Sequence, residues 1–195
     1  MRFLKGFLDL IEFFVASAAF AVMIYFFVAQ PHQVNGNSMY PNFHNGEFLL
    51  TDKLSFRFRD PQRGDVIIFK APSTAHCPVG FNCDFIKRII GMPGERMKVE
   101  KGRVYINNKI LDEPYLPAGA LTDGGKIPQS FLEEGVERVI PANSYAGFGD
   151  NRPGSSDSRD WGTVERKLII GKAIFRYWPP NVAGVMAFEK ARLEP

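Results

Sequence analysis

The chain has little cysteine, only Cys77 and Cys83, too few for a disulfide scaffold to replace a hydrophobic core. It has almost no charge imbalance either: the formal net charge is +3, and the basic residues are scattered rather than striped, which argues against a nucleic-acid binder. His-Glu-x-x-His and Cys-x-x-Cys pairs are missing, and His32, His44 and His76 lack metal-ligand spacing, so no metal cofactor is expected. A glycine-rich phosphate loop is missing too, and no other cofactor is implied. Internal repeats and low-complexity tracts are absent. What remains, 45% apolar and 23% charged residues in a chain of 195, suits one folded domain plus an anchor.

One long apolar run is present. Residues 13–29 carry no charge, and Phe7, Leu8, Leu10 and Ile11 extend the run toward the ~20 residues that span a bilayer. The expected division is a cytoplasmic N-terminus at 1–6, an anchor at 7–29 and an extracytoplasmic domain at 30–195. The run is longer than the h-region of a cleaved signal peptide, and Ala29-Gln30-Pro31 is a poor cleavage site, so the anchor reads as uncleaved. Arg2 and Lys5 precede it and no Lys or Arg follows until Lys53, which places the N-terminus inside and the rest outside.

Beyond a short polar exit at 30–33 the pattern becomes β. Apolar runs at 48–50, 66–69, 85–90, 145–148 and 171–177 read as strands between glycines and prolines. Lys101-Gly102 marks a hairpin between residues 97–99 and 103–106, and Asn107-Asn108 turns the chain into residues 109–111. Residues 116–134 read as a surface insertion with a helical turn at 127–134. The fold class is therefore all-β: a partly closed, barrel-like domain of short antiparallel strands behind one transmembrane helix.

Ser38, in Gly-Asn-Ser-Met-Tyr-Pro just past the apolar run, and Lys87, flanked by Phe85-Ile86 and Ile89-Ile90, are the candidate catalytic residues. A hydroxyl nucleophile needs a base, and a lysine buried among apolar neighbours loses its charge more easily and can serve as one. A serine–histidine arrangement using His32 or His44 is the competing reading. Residues 149–162, dense in carboxylates, arginines and hydroxyls, read as a hydrogen-bonded support.

Four segments in order, residues 37–41, 63–69, 87–95 and 149–161, resemble the boxes of bacterial type I signal peptidases, the membrane-anchored Ser-Lys leader peptidases. The resemblance covers nearly the whole chain. It implies a serine endopeptidase that removes signal peptides from exported preproteins, with Ser38 as nucleophile and Lys87 as general base. It implies that Ser155 bonds the lysine amine, that Asp157 and Arg159 brace the site, that Met39 and Ile86 line the substrate pocket, and that Arg88 is structural. Residues 175–180 match the family's apolar region near the membrane surface. The implied partners are secreted preproteins with small residues at −1 and −3, the lipid bilayer and a secretion translocon. The implied location is the cytoplasmic membrane, with one pass and the catalytic domain outside. A processing peptidase devoted to one substrate such as a pilin, and a non-catalytic homologue that binds signal peptides, are the alternatives.

The sequence departs from the serine-bearing members at Gly36, leaving the Ser38 backbone N–H and the Gly36 region to hold the oxyanion. Gly36→Ser is expected to be near neutral, provided Gly36 does not adopt a positive φ. Pro153-Gly154 replaces the more usual Asp-Asn. Cys77 and Cys83 bracket five residues ahead of the lysine strand, and an extracytoplasmic setting favours a disulfide between them over two thiols.

Overall fold

Helix α1, Arg2–Phe27, is exposed from Leu4 onward, and this segment, Leu4–Phe27, is long and apolar enough to cross a membrane. At 1.5 Å per residue that segment spans about 36 Å, against roughly 30 Å of bilayer hydrocarbon. The computed structural model describes residues 2–77, 83–186 and 191–193. The helix stops sooner than the sequence suggests. Residue 29, expected in the anchor, and residues 30–33, expected as a polar exit, form strand β1 (Ala29–Gln33), because their backbone pairs antiparallel with β2 (Phe48–Asp52). Pro31 is tolerated there because β1 is an edge strand.

The remaining strands are β3 (Val66–Lys70), β4 (Asp84–Gly91), β5 (Arg96–Glu100), β6 (Arg103–Ile106), β7 (Lys109–Asp112), β8 (Arg138–Val139), β9 (Ser144–Phe148), β10 (Val164–Glu165), β11 (Ile169–Trp178), β12 (Gly184–Val185) and β13 (Arg192–Leu193). Two one-turn helices, α2 (Ser55–Phe58) and α3 (Ser158–Trp161), interrupt them. The larger sheet runs β1-β2-β11-β3-β4-β9-β10, with β12 beside β11. The smaller runs β13-β7-β6-β5-β8. All named pairs are antiparallel, and neither sheet closes on itself.

Local chemistry explains the two predicted turns. Lys101 (φ 50°) with Gly102 (φ 76°), and Asn107 (φ 51°) with Asn108 (φ 64°), have the paired positive φ of tight β-hairpin turns. Residues 127–134 hold no helix: the chain makes a turn there, with Gln129 at φ 62°. Instead this stretch hydrogen-bonds outward. Phe131 N–H donates to Asp160 O (3.1 Å) and Leu132 N–H to Arg159 O (2.9 Å), which binds it to α3.

Three apolar clusters hold the domain together. One fills the smaller sheet around Ile90, Met97, Val104 and Phe148. A second packs Ile67, Phe69, Ile89 and Trp161. The third, Val34, Met39, Phe43, Leu49, Val66, Ile68 and Ala173, lies under the turn that carries Ser38. None of the three includes a residue of α1.

Candidate active site

Ser38 sits in the turn between β1 and β2. The turn is fixed from below, since Met39 and Phe43 are fully buried and Phe43 N–H donates to Met39 O (3.0 Å). Lys87 comes from the middle of β4, opposite Ile67 of β3. Lys87 Nζ donates to Ser38 Oγ at 2.7 Å, and only 4% of the lysine is exposed.

Burial is the main influence on that amine, because removing water penalises the ammonium. Asp157 and Asp150 pull its pKa upward and Arg159 pushes it down, and the net result is a lysine lowered to about 8. The site thus holds a serine hydroxyl against an amine that gives up its proton far more readily than a free lysine, near pH 8.

Residues 149–161 wrap around this pair. A Cβ on Gly149 would lie 2.3 Å from Ser38 O and 2.2 Å from Ser155 Oγ, so only glycine lets the loop approach this closely. Asn151 then clamps the nucleophile turn: its N–H donates to Ser38 O (3.0 Å) and its Nδ2 to Asn37 O (3.0 Å). Asp157 accepts from Gly149 N–H (3.0 Å) and from two nitrogens of the Arg159 guanidinium (2.8 and 2.9 Å). Burial alone would raise the Asp157 carboxyl, but Arg159 and the Gly149 N–H outweigh it and hold the group below the ordinary carboxylate range. Arg159 passes the support on to Arg152 O (2.7 Å).

A second buried pair lies behind the lysine. Arg88 donates to both oxygens of Asp150 (2.8 and 2.6 Å), and Asn42 Nδ2 donates to the same carboxylate (2.8 Å). The nucleophile turn, the lysine strand and the 149–161 loop are joined at this carboxylate.

The expected residues do not all meet. Ser155 is buried, yet its Oγ has no hydrogen-bond partner, so the expected bond to the Lys87 amine is not made; that amine is engaged by Ser38. Lys126 instead holds this part of the loop by its backbone, donating to Pro153 O (2.6 Å) and Ser155 O (3.0 Å). Met39 is fully buried and belongs to the cluster below the turn, not to the wall of the cleft. Ile86 does line the cleft. Gly36 has φ 91°, so the condition attached to a neutral Gly36→Ser fails: although a Cβ would meet nothing within 4 Å, the backbone would be strained. His44 lies against Glu47 (3.3 Å), and His32 bonds Thr51 Oγ1 through Nδ1 (2.9 Å); Ser38 Oγ takes Lys87 as its partner. Cys77 and Cys83 are disulfide-bonded, and residues 78–82 between them lie outside the described residues.

Sequence reading missed Asn151 and Lys126. Both bond mostly to backbone carbonyls, and one sequence shows no partner for such contacts. Asn151 was visible only as a member of a polar run.

The cleft beside Ser38 is a groove of about 490 Å³, walled by residues 31–35 on one flank and 84–87 on the other, with Leu49 and Ile68 also lining it. Among the described residues both flanks have unpaired strand edges: β1 ends the larger sheet, and β9 pairs with β4 only from Arg88 onward.

Comparison with known proteins gives one answer. The family model described as "Signal peptidase, peptidase S26" matches residues 7–178, which include Ser38, Lys87 and the whole 149–161 loop. A probable signal peptidase I-2 of Synechocystis is 35% identical over 185 residues, covering 95% of this chain and 79% of that protein. Signal peptidase I of Leptolyngbya laminosa is 39% identical over 170 residues, 86% of this chain and 78% of its own. Signal peptidase IB of Staphylococcus aureus is 30% identical over 181 residues, 88% of this chain and 91% of its own. The chain belongs to the signal peptidase family, peptidase S26.

Proposed function

We propose that this protein is a membrane-anchored serine endopeptidase that removes signal peptides from exported preproteins. The observation that carries the reading is the 2.7 Å contact between Ser38 Oγ and a buried Lys87 whose pKa is lowered to about 8, at the wall of a groove with two strand edges unpaired among the described residues. An extended peptide can pair its backbone with such edges, as in β-strand addition. In this reading Ser38 Oγ attacks the scissile carbonyl while Lys87 Nζ takes its proton. The ammonium then protonates the leaving amine, and an acyl ester remains on Ser38. Lys87 next takes a proton from the incoming water and returns it to Ser38 Oγ as the ester breaks. The oxyanion rests on the Ser38 backbone N–H. Asp157 and Arg159 keep the loop in place, and Ser155 contributes its buried hydroxyl once the amine turns from Ser38.

Substrates carry small residues at −1 and −3, with Ile86 narrowing the groove. Met39 acts only from beneath, by shaping the turn. Chain 7–29 is the anchor, residues 1–6 are cytoplasmic, and 30–195 form the outer catalytic domain, following the basic flank of Arg2 and Lys5. The site stays close to the bilayer because β1 leads directly from the helix to the Ser38 turn. Lys53 N–H donates to Val28 O (2.9 Å), and Arg57 lies 5.3 Å over the Phe27 ring, so the helix end is tied to the domain.

Incubating the detergent-solubilised protein with a model preprotein and sequencing the product's N-terminus tests the proposal. The expected product starts after a small-x-small motif. An intact preprotein, with no acyl-enzyme trapped on Ser38, points to a non-catalytic signal-peptide binder instead.

A further inference from the structure

The groove mixes apolar residues, Val34, Leu49 and Ile68 among them, with polar ones that include Gln33, Asn35 and Ser156 beside the catalytic pair. One further polar pair faces across it. His32 reaches in from β1 and Asp84 from the start of β4, so the two side chains approach from opposite flanks. Their closest atoms, His32 Nε2 and Asp84 Oδ2, are 3.6 Å apart, beyond hydrogen-bond reach. His32 Nε2 is buried and has no hydrogen-bond partner among the described residues, whereas its Nδ1 lies 2.9 Å from Thr51 Oγ1. Burial lowers the His32 pKa despite the neighbouring carboxylate, so the ring is neutral at ordinary pH. In the tautomer in which Nδ1 accepts from the Thr51 hydroxyl, the ring proton sits on Nε2 and faces Asp84. A buried donor left unpaired beside a carboxylate that is 31% exposed, and so free to turn, is an incomplete site.

We infer that His32 and Asp84 form a polar subsite that takes a short hydroxyl or amide side chain of the substrate: serine, threonine or asparagine. Such a group accepts from His32 Nε2–H and donates to Asp84, completing both partners. An apolar side chain there leaves the donor unpaired, and that asymmetry generates selectivity. Asp84 precedes Lys87 by three residues along β4, about 10 Å in an extended strand. A substrate running alongside β4 therefore presents a residue about three positions from the scissile bond. The inference rests on the endopeptidase reading above and adds a specificity determinant to it.

The test uses the full-length protein in detergent and a preprotein that it cleaves. Positions −2 to −5 are replaced one at a time by Ser, Thr or Asn and by their apolar counterparts Ala, Val and Leu, and kcat/KM is measured for each. One position should favour the polar member about fivefold, the size of one net hydrogen bond. In Asp84→Ala that advantage should fall below about twofold. In His32→Gln, whose amide can still donate, part of it should survive. Asp84 is partly exposed, so its variant keeps the test valid if the His32 variant misfolds. Cleavage with no polar preference at any position overturns the inference alone. So does a preference for Lys or Arg, which is simple attraction to the carboxylate, and so does a polar preference unchanged in Asp84→Ala. A wild-type protein that cuts none of the set overturns the endopeptidase reading, and this inference falls with it.

Discussion

The chemistry turns on one amine. Lys87 is lowered to about 8, so the fraction able to accept the Ser38 proton rises through that pH. The kcat/KM profile should climb along a limb near pH 8, and His32→Ala or His44→Ala should leave the limb in place. The same shift bears on stability, with a definite sign. Between about 8 and the ordinary ~10.4, the unfolded chain holds a proton that the native amine has lost, so stability rises with pH across that window. Below about 8 the native state carries the whole cost of burying an ammonium. Lys87→Met should therefore melt above wild type at pH 7, the gap narrowing toward pH 10, while losing cleavage by at least ~1000-fold. Ser38→Ala should lose a similar factor, and the double variant little more, because the two groups act as a unit. Near-wild-type turnover in Lys87→Met would falsify the dyad. Gly36 shows what a sequence hides: its φ of 91° makes serine a strained replacement, and Gly36→Ser should lose roughly 1–2 kcal/mol of stability rather than gain rate. Thermal melts with kcat/KM on the same preparation check this.

Among the elements, β4 joins catalysis to the framework. Lys87 faces the serine, and its neighbour Arg88 is pinned by Asp150 and stacked 4.0 Å over Tyr115. Asp150→Ala leaves a buried guanidinium short of its counter-charge and should cost about 3–5 kcal/mol, enough to threaten folding. Asn151→Ala removes the side-chain bond to Asn37 O and the one its Oδ1 accepts from Gly154 N–H (3.1 Å), and should lower kcat more than it raises KM, since it loosens the nucleophile turn without lining the groove. Chevron-type denaturation separates the first from the second. Strands with clear apolar runs and glycine or asparagine turns were legible in the sequence, because local patterning decides them. β1, β8, β10, β12 and β13 were not: they are short, and partners distant in the chain define them. Of the site, Ser38 and Lys87 stood out through their flanks, and Asp157 with Arg159 only through the resemblance of their loop to a family box. The Asn151 clamp did not, because backbone carbonyls leave no trace in residue identity. Nor did the absence of a Ser155 partner, because it depends on where Gly149 brings the loop.

At the scale of the whole molecule, anchor and catalytic domain make separate demands on stability. No α1 residue enters any of the three apolar clusters, and the helix is exposed throughout its described length. Among the described residues its ties to the domain are few: the start of β1, the Gln30 Nε2 bond to the Tyr25 hydroxyl (3.4 Å), the Lys53 N–H to Val28 O bond and the Arg57–Phe27 contact. A chain beginning at Val28 keeps β1, the Ser38 turn, the Lys87 strand and all three clusters. It should fold, melt within a few degrees of the full-length protein, and hydrolyse a short soluble peptide with kcat/KM within about threefold of it. What it loses is proximity. Enzyme and signal peptide held in one membrane meet at an effective concentration far above that in solution, a factor of roughly 10²–10⁴ for tethered partners. Cleavage of a preprotein embedded in vesicles should fall by at least about 100-fold, while the soluble-peptide rate survives. Measuring both rates on one preparation separates the cases. If both fall together, α1 stabilises the site itself; if neither falls, the anchor has no part in presenting the substrate.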